Sequence, residues 1–169
     1  MIAYRREHGL NTRIARIFNT YGPRIRTDGI YGRVIPRFID QALSGKPLTV
    51  FGDGSQTRSF TYVTDQIEGL LRLAALDAAT GQVVNIGNVN EITVLELAQK
   101  VIALTGSKSM LSFSPLPEDD PLRRRPDVTK AKEILGWVPK TSLEYGLIRM
   151  VDWIKIPQKA PLATGKIKD

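Results

Sequence analysis

The sequence predicts an α/β fold, and three observations predict it. Short segments rich in β-branched residues alternate polar with apolar, Thr12 to Phe18 most clearly, and read as strands. Between them lie segments with apolar residues at helical spacing, such as Val34, Ile35, Phe38, Ile39 and Ala42. Gly, Pro, Asn and Asp punctuate the junctions between the two periods. An α+β arrangement has the same signature, and helices are expected to outnumber strands.

Taken in order, Ile2 to His8 reads as the end of a helix stopped at Gly9, where a left-handed cap is easy. The strand Thr12 to Phe18 runs into a loop, Asn19 to Gly32, rich in Gly, Pro and Asp. The helix Arg33 to Leu43 follows, then a strand from Pro47 to Phe51 that enters the turn Gly52-Asp53-Gly54-Ser55. Arg58 to Val63 is a second short strand, with Thr64-Asp65 as N-cap of a helix from Gln66 to Leu76. Gln82 to Ile86 is a strand ending at Gly87. Thr93 to Thr105 is a helix with Val94, Leu95, Leu97, Val101 and Ile102 inside. Met110 to Phe113 reads as a strand and Pro115 to Pro126 as a charged loop. Thr129 to Leu135 and Ser142 to Ile154 are helices either side of Gly136-Trp137-Val138-Pro139. Residues 156–169, lysine-rich with small residues, read as a disordered tail.

Composition narrows the function classes. The chain of 169 residues fits one domain, or one large lobe of a bigger enzyme. It has no cysteine, which removes disulfides, thiolate nucleophiles and zinc-thiolate sites. No run approaches the roughly 18 to 20 apolar residues of a membrane span, and the start lacks the apolar core of a secretory signal. A cytoplasmic location is the expectation. The net charge of +7 is uneven: residues 1–60 hold ten Lys or Arg against four acids. Such a face attracts phosphate-bearing partners. A basic nucleic-acid-binding domain is one reading, but no basic run interleaved with aromatics supports it, and a smaller anion fits better.

Three segments carry polar chemistry. Strand Thr12 to Phe18 ends in Asn19 and Thr20, followed by Tyr21-Gly22-Pro23-Arg24, which projects donors where ligands of open α/β sheets bind. A capped strand end with a Gly-Pro turn explains the same residues. Around Gly52 and Gly54, two short strands flank a bend, and Arg58 faces the same side as Phe60, a cation beside an aromatic wall. A solvated hairpin with an exposed arginine is the plainer alternative. Glu118-Asp119-Asp120 precede Arg123-Arg124-Arg125; they can pair among themselves, and they lack the ligand register of a calcium loop. His8, the lone histidine, belongs to a surface-like helix end and takes no catalytic role.

At these residues the chain resembles the extended short-chain dehydrogenase/reductase group of nucleotide-sugar epimerases, dehydratases and decarboxylases. The likeness rests on Arg13 to Arg24, on Pro47-Leu48-Thr49-Val50-Phe51-Gly52-Asp53-Gly54 through Phe60, on Glu118 through Asp127, and on Thr129-Lys130-Ala131-Lys132 leading to Leu135-Gly136-Trp137. It covers residues 1–155 in the family's order and is strongest toward the branch that decarboxylates UDP-glucuronate; UDP-glucose 4-epimerase and dTDP-glucose 4,6-dehydratase are the alternatives. The resemblance implies the C-terminal part of a Rossmann-like enzyme, the last strands of the parallel sheet plus a small α/β substrate-binding lobe. It implies NAD as cofactor, a UDP-sugar or dTDP-sugar as partner, and oxidation at C4 of the sugar, after which a C5 carboxylate can leave as carbon dioxide.

By the same resemblance, Asn19 looks like a substrate-phosphate contact and Thr20 a contact near the nicotinamide. Arg33 is similar to an arginine reaching the cofactor and sugar end. Thr49, Val50 and Phe51 look like the uracil-binding strand, and Arg58 and Arg124 like a pair that neutralises the diphosphate. The family's Gly-rich NAD turn and Tyr-x-x-x-Lys pair do not occur in this sequence and are expected upstream of Met1. No catalytic residue is therefore assigned, and the chain alone is expected not to turn over. A homodimer, or union with an N-terminal half, is the expected assembly. The loop Thr27-Asp28-Gly29-Ile30-Tyr31-Gly32 is longer than its decarboxylase counterpart, which leaves Arg26 unassigned.

Overall fold

Gly9 takes a left-handed backbone, φ 64°, and ends α1 (Ile2–His8) where the sequence places the stop. The computed structural model describes residues 2–25, 33–118 and 120–156. The long loop 27–32, Arg26 and the tail beyond Ile156 lie outside the described residues. After α1 come β1 (Ile14–Ile17), β2 (Thr20–Tyr21), α2 (Val34–Leu43), β3 (Leu48–Phe51), β4 (Thr57–Ser59) and β5 (Thr61–Tyr62). They are followed by α3 (Val63–Ala75), β6 (Val83–Ile86), β7 (Glu91–Thr93), α4 (Val94–Thr105), β8 (Leu111–Ser114), β9 (Arg123–Arg124), α5 (Thr129–Leu135) and α6 (Leu143–Lys155).

Among the described residues strands outnumber α-helices, nine to six, the reverse of the expectation. The excess comes from two- and three-residue strands, too short to display an alternation. Arg58 to Val63 is likewise not one strand: β4 and β5 are separated at Phe60 and belong to different sheets. The strands pair as β1·β6, β2·β5 and β3·β8, all parallel, plus a three-stranded sheet in which β4 lies between antiparallel β7 and parallel β9. Since β3 pairs with β8, the bend at Gly52 and Gly54 is not a hairpin. Among the described residues, no helix is long and apolar enough to cross a membrane.

Helix boundaries follow local chemistry where the sequence offers it. Thr93 and Glu96 form a capping box on α4: the Glu96 amide donates to Thr93 Oγ1 at 3.1 Å, and the Thr93 amide donates to Glu96 Oε2 at 3.0 Å. Ser142 caps α6 by accepting from the Tyr145 amide. Thr64-Asp65 is not the cap of α3. That helix opens at Val63, and Asp65 is buried in its first turn, where it accepts from the backbone amides of Lys140 and Thr141.

Two hydrophobic clusters hold the elements. The larger joins α2, α4 and α6 over β3, with Ile35, Phe38, Ile39, Leu48, Val50, Leu97, Val101, Leu147 and Met150 essentially out of water. The smaller packs α3 and α5 on β6 through Leu73, Val84, Ile86, Ala131, Leu135 and Trp137. Leu95 and Ile102 are only half-buried on α4, at the edges of its apolar face. The site lies near Tyr21 and Phe60 of the larger cluster.

Candidate functional site

β1 ends at Ile17, and the chain turns through Phe18 and Asn19 into β2. The two-residue ladder between β2 and β5 pairs Thr20 with Thr61, so the end of β1 is tied to the segment that follows β4. A cavity of about 330 Å³ opens here. Asn19, Thr20, Arg33 and Arg58 supply its polar lining, with apolar wall from Phe18, Pro36 and Phe60.

Each polar group is held. Asn19 Nδ2 donates to the Ser59 carbonyl at 3.2 Å, linking the loop to β4. The Thr20 hydroxyl sits 3.1 Å from both the Phe18 carbonyl and Gln66 Oε1. Arg33, exposed at the start of α2, donates from Nη1 to the Thr20 carbonyl at 3.2 Å. Arg58 is 8% exposed; Nη1 donates to the Thr57 carbonyl at 2.7 Å and Nη2 to Asp120 Oδ1 at 2.6 Å. Arg58 is therefore not the exposed arginine of a solvated hairpin.

The parallel ladder of β4 and β9 places Arg124 directly opposite Arg58, so the two side chains stand on one face, about 4.8 Å apart at the backbone. Arg124 is exposed and does not line the cavity. Among the described residues, the charge run holding it does not pair within itself: Asp120 goes to Arg58, while Arg123 and Arg125 go to Glu91 on β7. Glu91 also accepts from Thr57 Oγ1 at 2.7 Å.

Hydrogen bonds from Arg123 and Thr57, then the arginine charges, hold the Glu91 carboxyl down at about 2, from an ordinary 4.5. Folding thus favours its ionised form. The contribution is complete above about pH 4.5 and is lost as pH falls toward 2. A carboxyl-carbon NMR titration should place the Glu91 midpoint near 2, and Arg123→Gln should move it up toward 4.5. A midpoint already near 4.5 in the unaltered chain would remove this clasp.

Thr49, Val50 and Phe51 lie away from the cavity lining. Val50 is wholly buried in the larger cluster. The outer edge of β3 is met by α2: Gln41 Nε2 donates to Thr49 Oγ1, the Thr49 amide donates to Gln41 Oε1, and Arg37 Nη2 donates to the Thr49 carbonyl. The Arg37 guanidinium also stands 4.9 Å from the centre of the Phe51 ring, and burial lowers its pKa. Arg37 and Gln41 escaped the sequence reading. Their signal was available, since Arg33, Arg37 and Gln41 recur every four residues along one helix face.

Similarity to known proteins accords with this geometry. The pattern of the NAD dependent epimerase/dehydratase family matches residues 1–87. UDP-glucuronic acid decarboxylase 2 of Arabidopsis thaliana is 51% identical over 148 residues, which are 88% of this chain and 32% of that protein. The epimerase Mth375 of Methanothermobacter thermautotrophicus superposes with a TM-score of 0.86 at 31% identity, over 90% of this chain and 46% of that one. UDP-glucuronic acid 4-epimerase from Bacillus cereus, in complex with UDP-glucuronic acid and NAD, superposes at 0.83 with 34% identity, over 90% and 48%. The chain spans about a third to just under half the length of such curated relatives. With half its residues in the family pattern and its parallel α/β architecture shared with these enzymes, the chain belongs to the NAD dependent epimerase/dehydratase family.

Proposed function

We propose that this chain supplies the sugar-nucleotide-binding part of an NAD-dependent nucleotide-sugar enzyme, with UDP-glucuronate as substrate and release of carbon dioxide as the reaction. The observation that carries the binding role is the register that sets Arg124 opposite Arg58 on one face of the β4–β9 ladder, with Arg58 lining a cavity that also presents Asn19. Such a pair matches the two phosphates of a nucleoside diphosphate, each of which accepts charge-assisted hydrogen bonds. The choice of decarboxylation rests on the 51% identity to a protein named for that reaction, against 31–34% for the epimerase structures.

In this reading Arg58 and Arg124 neutralise the diphosphate, Asn19 donates to it, and the sugar enters the cavity between Thr20 and Arg33. A volume of about 330 Å³ is at the small end of ligand pockets and suits a sugar or a nicotinamide-sized group rather than a whole dinucleotide. The residues present therefore fit the reacting end of NAD, with Thr20 and Arg33 as its contacts. When bound, NAD supplies removal and return of hydride at the sugar carbon. Thr49 to Phe51 would contact the base only through groups that Gln41 and Arg37 leave open.

Calorimetric titration of the chain with UDP tests the binding role. UDP should bind, and Arg58→Ala should weaken it at least about tenfold, the scale of losing hydrogen bonds to a charged group. No heat from a chain that circular dichroism shows to be folded, or equal affinity in the variant, would refute it.

A further inference from the structure

Arg58 is buried, yet Asp120, the acid that balances it, comes from the loop between β8 and β9, 62 residues along the chain. Both terminal nitrogens of Arg58 already donate to protein acceptors, Nη1 to the Thr57 carbonyl and Nη2 to Asp120 Oδ1. Either side of Asp120 the loop is fastened: its amide donates to the Pro117 carbonyl at 3.4 Å, and the Leu122 carbonyl accepts from the Thr57 amide at 2.9 Å. The neighbouring cations Arg123 and Arg125 are engaged by Glu91, so they do not draw Asp120 away. Among the described residues no carboxylate pairs with Arg124. The Asp120 side chain keeps about a third of its surface in water.

We infer that Asp120 is an internal counter-ion that stands in for a ligand phosphate on Arg58 and must give way when a nucleoside diphosphate binds. The inference rests on the diphosphate reading given above. A buried guanidinium without a partner is costly, so Arg58 needs an anion whether or not a ligand is bound, and Asp120 supplies one. Once a phosphate lies against Arg58, the same carboxylate becomes a like charge at close range. An anion that reaches only Arg58 exchanges one negative partner for another and gains little. A diphosphate gains more, because its second phosphate meets Arg124, which among the described residues has no carboxylate partner to lose. Asp120 thus opposes binding and stabilises the empty protein, and the two effects are linked.

The test compares the 169-residue chain with Asp120→Asn and Asp120→Glu. Each is titrated with UDP and with uridine, and each is melted without ligand. The expected result for Asp120→Asn is UDP affinity raised about tenfold, as for close charge pairs at interfaces, with uridine affinity unchanged and a lower ligand-free melting temperature. Asp120→Glu keeps the charge and should stay within about twofold of the starting affinity. UDP affinity that is equal or lower in Asp120→Asn, in a chain that binds UDP, overturns the inference and leaves the diphosphate reading standing; Asp120 would then orient Arg58 rather than compete for it. Failure of every folded variant to bind UDP overturns both.

Discussion

Trp137→Ala should cost about 3–5 kcal/mol of unfolding free energy, the range for removing a large buried aromatic. Trp137 is 1% exposed and is the largest side chain of the smaller cluster, against Leu73, Val84, Ile86, Ala131 and Leu135. Its neighbours have little freedom to refill the space. Gly69 of α3 lies so close that a Cβ there would come within 3.1 Å of the indole ring and 2.6 Å of Ile86, so the contact is already backbone against ring. The indole Nε1 also donates to the Asp65 carbonyl at 3.1 Å, a bond that alanine leaves unmade. A loss of this size is a large fraction of the about 5–15 kcal/mol that holds a typical domain folded. Urea denaturation followed by far-ultraviolet circular dichroism measures it. Trp137→Phe should recover part of the loss, because it restores ring area without the donor. An alanine variant within 1 kcal/mol of the starting protein would mean that this cluster does not contribute to the cooperative core.

The contrast between what could and could not be read in advance follows sequence distance. α5 appears at its expected bounds, and the capping box of α4 is written in Thr93 and Glu96, three residues apart. β1, β3, β6 and β8 show enough alternation or β-branching to be seen within a residue or two. β2, β5 and β9 have two residues each, and two residues carry no period. They exist because partners far along the chain complete their ladders, Thr20 with Thr61 and Arg58 with Arg124. The same holds for charge. Local pairing within 118–125 was a fair expectation from sequence proximity, yet Coulomb attraction acts through space, and Arg58 and Glu91 arrive from other strands. For the site, the residues alone left plainer alternatives open at Asn19 and Arg58, and their roles came from the family resemblance. The structure then brings Asn19, Thr20, Arg33 and Arg58 to one cavity, sets Arg124 beside Arg58, and leaves Thr49, Val50 and Phe51 apart.

Asp65→Ala should destabilise the chain by about 2–4 kcal/mol, and Asp65→Asn by only about 1 kcal/mol. The carboxylate is 6% exposed, and a single oxygen, Oδ2, accepts from the Lys140 amide at 3.0 Å and the Thr141 amide at 2.8 Å. Those amides belong to the segment that leads from Trp137 into α6, so Asp65 ties the smaller cluster to the larger one through α3. Alanine leaves both amides without that acceptor. Asparagine offers one carbonyl oxygen in the same place and loses chiefly the charge assistance, together with the favourable setting of a negative charge in the first turn of a helix. The adjacent residue makes the consequence reach the cavity: Gln66 accepts from Thr20, which lines it. A loosened start of α3 should therefore lower UDP affinity in the alanine variant more than in the asparagine variant, although neither side chain lines the cavity. Equal stability of the two variants would show that the charge, and not the acceptor geometry, is what Asp65 contributes. A double-mutant cycle with Trp137→Phe should give a nonzero coupling, since the Asp65 side chain fastens the segment just after Trp137 while the Asp65 main-chain carbonyl, kept in both variants, accepts from the indole.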